Sequence, residues 1–381
     1  MLISLPARPP QFFDPTTEPA FDTTFDSWLV YSFRDVHQLL SDRERFSCEF
    51  GNSVEDPEHI HPTLAAMWAT DGNRHRDLRA AVPNPFRPRT LHGLEAVVRT
   101  IVRDTLDAAL PNRTGSVEAV EAIANPIATR TICHVLRMDP STVTTVRSWL
   151  NRTYEVARTT HTLPAQPDVV EFFRTLIRDR WDILGNSLID DLIAASKGGH
   201  TVDGCPMSEW DLIAYCTMLL WAGVETTSTG IANALLFLTH FGCFDQLRAA
   251  PGLVHGAVEE TLRWYPPFPG VRRWARHDTE IAGHRIGKGE WITGWLSAAN
   301  RDPRKFTNPN TFDIRRGSAH LTFGEGAHYC LGSPLARLEM RVLLEELLHR
   351  DVHLETDPER LPQRRIWLAD VLEQTYFNYR A

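Results

Sequence analysis

Apolar residues recur at spacings of three and four along 93–110, 118–138, 142–157, 168–184, 208–240, 254–264 and 334–349. This periodicity predicts a succession of helices. Strand-like alternation is confined to 27–31, to roughly 270–296 and to the tail after 351. No repeat of 20–50 residues and no low-complexity linker breaks the pattern. The expectation is a mainly α protein with small β-sheets, forming one domain over 1–381, and not an alternating βαβ sheet.

The longest periodic stretch, 208–240, predicts a helix of about 50 Å, enough to cross the whole molecule. Ser208 and Asp211 form an acidic variant of the capping box at its start. Its apolar run stops at Glu225-Thr226-Thr227-Ser228-Thr229, so no uncharged 18-residue stretch remains to span a membrane. The expectation is a central helix of the core. The break is anomalous there: Ser and Thr compete for backbone hydrogen bonds, Gly223 weakens the helix and Glu225 carries charge into it. With apolar text on both sides, a functional break fits better than a solvent-facing kink.

Composition narrows the function. The apolar share of 43% and charged share of 23% are ordinary for a globular chain, and a net charge of −8 argues against a nucleic-acid binder. The first fifteen residues carry no basic start before a long apolar run, so no signal peptide is expected and a cytoplasmic location is the default. The six cysteines are scattered without a CxxC pair, which argues against structural zinc; five suit small buried apolar positions.

Cys330 differs because of its surroundings, Leu-Thr-Phe-Gly-Glu-Gly-Ala-His-Tyr-Cys-Leu-Gly over 321–332. Glycines let a turn press against something flat and close. Ser333 as cap and Pro334 as first residue predict a helix start directly after it, where a thiol's pKa falls. A phosphate loop is disfavoured, since Tyr329 stands where a third glycine would be and no lysine follows. A nucleophile with His328 as base, a thiolate ligand for haem iron, and a buried cysteine in a tight turn all remain open on this stretch alone.

Phe323-Gly324-x-Gly326-x-His328-x-Cys330-x-Gly332 resembles the haem-binding loop of the cytochrome P450 family. Other motifs of that family follow in its order: His75 to Arg79, Ala222-Gly223-Val224-Glu225-Thr226-Thr227, Glu260-Thr261-Leu262-Arg263, Arg273-Trp274-Ala275 and Asn300-Arg301-Asp302-Pro303. The match runs from about 25 to 355. It implies that fold, a large helical domain around a long central helix, and a haem b cofactor. By resemblance Cys330 is the thiolate ligand of iron, and Phe323, Gly324 and Gly332 shape its loop. His75, Arg79, Arg273 and His328 would meet the haem propionates. Ala222 and Gly223 would leave room for dioxygen, Thr226 would hydrogen-bond it, and Glu225 would relay protons. Glu260 and Arg263 would form a structural ion pair.

The implied function is a soluble bacterial-type monooxygenase inserting one atom of O2 into a hydrophobic or natural-product substrate. Electrons would come from a separate ferredoxin-type donor and its reductase, with no reductase fused to the chain. Arg337, Arg341, Arg74 and Arg76 suit docking of that donor as well as they suit solvated helix charge. The same site performing aryl coupling, ring formation or desaturation is the alternative, and a haem-binding sensor a remoter one. Trp221 departs from the family's usual aliphatic residue; with Phe268 and Val271 it is a candidate pocket wall. Thr311 stands where relatives often complete the Glu260–Arg263 network, leaving Arg315 or Arg316 as substitutes. The tail, 365–381, ends soon after a strand-like piece, so the family's last turn is expected to be shortened or rearranged.

Overall fold

The computed structural model describes residues 14–23, 26–49, 66–81, 88–160, 166–183, 185, 187–317, 319–366 and 370–381. Among them the helices are α1 (Phe33–Ser41), α2 (Gly72–Ala80), α3 (Pro88–Ala109), α4 (Asn125–Val135), α5 (Val143–Thr160) and α6 (Pro167–Arg180). Then follow α7 (Leu188–Lys197), α8 (Glu209–His240), α9 (Cys243–Ala249), α10 (Val254–Trp264), α11 (Leu296–Ala299) and α12 (Ser333–His349). The strands are β1 (Ala20–Asp22), β2 (Ser27–Val30), β3 (Phe46–Ser47), β4 (Thr114–Glu118), β5 (Thr201–Val202), β6 (Cys205–Pro206) and β7 (Gly270–Ala275). After these come β8 (Thr279–Ile281), β9 (His284–Ile286), β10 (Trp291–Trp295), β11 (His353–Thr356), β12 (Gln363–Ile366), β13 (Asp370–Gln374) and β14 (Tyr376–Arg380).

The fold divides into two compact units. One comprises Met1–Ser47, Pro88–Ala128 and Glu225–Ala381, the other Cys48–Arg87 and Thr129–Val224, and α8 contributes to both. The first unit carries a mixed sheet in the order β1-β2-β10-β7-β3, in which only the β2–β10 pair is parallel. One apolar cluster joins this sheet to α1: Val30, Ile292 and Ala275 pack with Val36, Leu39 and Leu40. Leu321, the first residue of the cysteine segment, is buried in the same cluster. The segment is thereby rooted in the sheet core before its glycines begin. A second sheet, β11-β14-β4, ties the tail to the end of α3.

Helix α8 forms as its sequence dictates. Ser208 N–H and hydroxyl both donate to Asp211 Oδ2, at 2.9 and 2.6 Å, and Asp211 N–H donates back to Ser208 Oγ at 3.1 Å. Residues 211–221 and 227–238 are buried on every face, which explains why its apolar text shows no stripe. The predicted helix over 118–138 is corrected at its start: β4 continues through Glu118, and a π-helical turn over Val120–Ala124 precedes α4. Helices α1, α2, α7, α9 and α11 were not predicted. In α2 only His75 and Leu78 are buried among nine residues, too few for a period to show.

Close packing of α10 fixes the segment that follows Pro309. A Cβ on Gly256 would stand 2.1 Å from the carbonyl oxygen of Ile314, a backbone atom that cannot swing away. Gly256→Ala should therefore destabilise the protein by about 1–3 kcal/mol or more, by overpacking. Gly252→Ala, with open space around its Cβ, should stay within about 1 kcal/mol. Thermal unfolding of both variants checks this, and equal losses would contradict it.

Candidate active site

Glu260 and Arg263 lie three apart on α10 and are 2% and 1% exposed. Charges this deep persist only when paired and fully hydrogen-bonded. Arg263 Nε and Nη2 donate to the two oxygens of Glu260, both at 2.7 Å. Its Nη1 donates to the carbonyls of Asn300 and Pro309 at 2.8 and 3.0 Å. The third member of the cluster is Arg316, whose Nε lies 3.2–3.3 Å from both Glu260 oxygens. The Arg316 fork also binds the carbonyls of Thr307, Asn308 and Thr311. Arg315 turns instead to Gln246, and Thr311 contributes only its carbonyl.

The network continues to the cysteine. Asn300 is fully buried; its side chain accepts from Leu321 N–H at 2.8 Å and donates to the Thr322 hydroxyl at 3.0 Å. Thr322 Oγ1 in turn donates to the Leu262 carbonyl, between Glu260 and Arg263 on α10. The next residue, Phe323, accepts from Cys330 N–H at 2.9 Å and closes the loop. Gly324 and Gly326 sit at φ +75° and +69°, a region other residues seldom adopt. Cys330 ends the loop with an accessible thiol just before α12. The helix cap is Gly332, one residue earlier than predicted, with Ser333 and Pro334 inside the first turn.

A second clamp was not foreseen. Glu259, beside Glu260, receives two hydrogen bonds from Arg337 of α12 at 2.7 and 2.9 Å. His320 Nδ1 accepts from Thr322 N–H, so its proton sits on Nε2, 3.4 Å from Glu259. Burial pushes the Glu259 carboxyl up, but His320 and the Arg337 guanidinium outweigh it and hold it at about 2. Arg337 lies over the Phe323 ring at 4.4 Å and donates to Tyr329 Oη at 3.3 Å. Both ends of the loop are thus gripped by one half-buried carboxylate. The adjacent pair Glu259-Glu260 was the available signal, since two neighbouring acids at the end of an apolar helix need two partners.

Ala222 is exposed and Gly223, Glu225 and Thr226 are half-buried, although the turns of α8 before and after them are buried. These positions fall at i, i+1, i+3 and i+4, one face of the helix. The polar break is therefore an accessible window in an otherwise enclosed helix. Gly223 has a packing role that its sequence did not reveal: a Cβ there would stand 2.9 Å from Ile132 Cδ1. Trp221 is buried, at 8% exposure. Phe268 is 40% exposed, and Val271 packs against the sheet cluster, which gives neither the character of an enclosed wall.

Of the cationic residues, His75 is buried on α2, Arg79 is half-buried on the same helix, and His328 is half-buried in a 3-10 turn of the loop. Arg273 is half-buried on β7, its Nη1 donating to the Arg272 carbonyl at 2.8 Å. Of the arginines that suited docking or solvated helix charge alike, Arg341 pairs with Glu95 and Glu345, Arg74 with Asp211 and Arg337 with Glu259, while Arg76 is exposed beside Asp77. An accessible thiol at a helix start, on a loop stiffened by buried hydrogen bonds, fits the kind of donor that would hold a haem iron.

The comparisons agree with this chemistry. The family model described as Cytochrome P450 matches residues 246–369. Erythromycin C-12 hydroxylase of Saccharopolyspora erythraea is 31% identical over 90% of this chain and 87% of its own. The cytochrome P450 monooxygenase PikC of Streptomyces venezuelae is 32% identical over 88% of this chain and 80% of its own. The crystal structure of HmtN, a post-tailoring hydroxylase of himastatin biosynthesis, superposes with TM-score 0.81 at 28% identity, covering 98% of this chain and 94% of that one.

Glu260→Gln should cost about 3–5 kcal/mol, because it leaves two buried guanidinium groups without their anion; chemical denaturation reads this, and a loss below 1 kcal/mol would contradict it. Glu259 is held below the ordinary carboxylate range, so its stabilisation is present above about pH 4.5 and fades as pH falls toward 2. Glu259→Gln should therefore lower stability by about 1–3 kcal/mol at pH 7, with the gap to wild type closing as pH falls from 4.5 to about 2. A gap independent of pH would contradict the assignment.

Proposed function

The chain belongs to the cytochrome P450 family, and on that premise we propose that Cys330 is its haem ligand and that Glu225 and Thr226 carry protons to the reaction. It is an oxidoreductase, a haem-dependent monooxygenase. When bound, the haem supplies the dioxygen-activating chemistry, in which R–H, O2, two electrons and two protons yield R–OH and water. The observation that carries the assignment is the accessible window of α8, where Ala222, Gly223, Glu225 and Thr226 share one face.

Each residue then has a defined task. The Cys330 sulfur, exposed just before α12, would be the thiolate ligand that holds the haem iron. His75, Arg79, Arg273 and His328 offer hydrogen bonds and positive charge to the two haem carboxylates. Ala222 and Gly223 keep the window thin. Glu225, half-buried, takes protons from solvent, and Thr226 Oγ1 passes them into the open space on that face. Phe323, Gly324 and Gly332 set the shape of the loop, and Glu260 with Arg263 holds it from behind.

The substrate class we propose is a hydrophobic small molecule of natural-product type, supported by relatives whose names specify an erythromycin hydroxylase and a himastatin-tailoring hydroxylase. Trp221 is a candidate wall of its pocket. Hydroxylation is favoured over coupling or desaturation because those relatives' names specify hydroxylases; the pair Glu225-Thr226 would serve either outcome. Electrons are proposed to come from a separate ferredoxin-type protein in the cytoplasm. A cavity of about 290 Å³ bordered by Leu91, His92, His255, Val258 and Leu338 supports that proposal as a docking depression. Its rim arginines are neutralised by Glu95 and Glu259, so shape and polar contacts would contribute more than net charge. No helix among the described residues is long and apolar enough to cross a membrane.

Thr226→Ala tests the proton path. With a substrate identified by spin-state titration, the variant should consume reducing equivalents at a near-normal rate. Product yield should fall by roughly 10²-fold, the scale of general acid catalysis, with hydrogen peroxide released instead. Tight coupling of electrons to product in the variant would remove Thr226 from this role.

A further inference from the structure

Within the unit formed by 48–87 and 129–224, helices α4 and α8 meet at a glycine. A Cβ on Gly223 would stand 2.9 Å from Ile132 Cδ1, 3.1 Å from its Cγ1 and 3.6 Å from its Cβ. All three nearest atoms belong to one side chain, so Ile132 lies along the bare backbone of Gly223. It cannot swing clear, because branching at Cβ restricts its χ1 and it is 2% exposed. Nor can α4 retreat, since Thr131, Cys133, Val135 and Leu136 around it are buried as well. The other glycine of α8 is a contrast. A Cβ on Gly230 would meet only Met340, its Sδ at 3.4 Å, an ordinary contact with a flexible side chain.

Gly223 also stands at the margin of the accessible window. Ala222 beside it is exposed and Thr226, three residues on, is half-buried, whereas Trp221 and Val224 are buried. The side of Gly223 that faces α4 is therefore filled by Ile132, and the open part of the window lies at Ala222. The resemblance gives both small residues one task, room for dioxygen; the packing gives them two.

We propose that Ile132 is a positioning residue for the window of α8: its bulk excludes a side chain at 223 and fixes how closely the two helices approach beside Ala222. A methyl added at 223 has no free volume to enter. Helix α8 must then shift or turn against α4, carrying Ala222 and Thr226 with it. Ala222, by contrast, keeps the window open through its own small size. The proposal rests on the reading of this window as the surface that meets small ligands of the haem, and it adds a residue that lies in none of the motifs.

The test uses the ferric holoprotein and imidazole, whose binding is read by difference absorption, together with urea unfolding. Gly223→Ala should weaken imidazole binding roughly tenfold, about the size of an overpacking cost. Ile132→Val, which removes the Cδ1 methyl, should bring Gly223→Ala back to within about threefold of wild type. Ala222→Val should also weaken imidazole, but Ile132→Val should not relieve that loss. Gly230→Ala should bind imidazole as wild type does. Unchanged binding in Gly223→Ala would overturn the proposal. So would a loss that Ile132→Val fails to relieve, which would return Gly223 to leaving room for the ligand. Relief of Gly223→Ala and Ala222→Val alike would mark general loosening and overturn it too.

Urea midpoints judge the pair without reference to the haem. Gly223→Ala should lower the midpoint, and Ile132→Val should lower it less in that background than in wild type; additive losses would overturn the proposal. If Gly223→Ala does not fold, recovery of folded protein by Ile132→Val supports the pairing, and failure to recover overturns it. A wild-type protein that gives no imidazole spectrum would strike the haem assignment, while the urea cycle would still decide the pairing of 132 with 223.

Discussion

The buried carboxylate of Glu260 is the constraint on which the remainder of the site depends. A charge at 2% exposure must be met from every side, and here it is met by Arg263, Arg316 and the Asp313 amide. The two guanidinium groups carry more donors than one carboxylate accepts. Their surplus N–H groups therefore capture carbonyls at Asn300, Thr307, Asn308, Pro309 and Thr311. In this way one acid on α10 folds a stretch with little regular structure of its own, and that stretch includes Asn300, which holds the root of the cysteine loop.

Glu259 applies the same logic to the other side of the loop. Its partners Arg337 and His320 come from after and before Cys330, and Arg337 also covers Phe323. The loop is therefore fixed by two adjacent acids of one helix, through hydrogen bonds at its root and a cation–π contact at its first aromatic. Stiffness of this kind matters for a ligand atom, because a thiol placed by mobile backbone would lose the geometry that a metal bond requires. The opposite requirement holds at α8, where Gly223 admits Ile132 and the following residues leave one face of the helix uncovered.

Much of this was legible in the sequence. Continuous apolar text around a polar break identified α8 and its window, since no structural need places Glu225 and Thr226 in a buried helix. The spacing Glu260-x-x-Arg263 and the glycines before Cys330 pointed to their roles because each uses local geometry. What was not legible depends on distant partners. Arg316 was one of two candidates, separated only by which guanidinium reaches Glu260 across 56 positions. The pairing of Arg337 with Glu259 spans 78 positions, so a helix arginine read equally well as surface charge. The tight fit of Gly223 to Ile132 is likewise a packing outcome. Helix α2, polar at six of nine positions, carries too little periodicity to announce itself.

If buried hydrogen bonds from α10 are what hold Cys330 in position, the carbonyl complex of the reduced protein should report their loss. The most direct measurement is that absorption spectrum for Asn300→Ala, which removes the side-chain link to Leu321 and Thr322 but keeps the backbone carbonyl bound by Arg263. The expected result is partial or full replacement of the red-shifted thiolate Soret band by the shorter-wavelength band, with far-UV circular dichroism unchanged. A variant that keeps the full thiolate band would show that the loop positions its cysteine without this network.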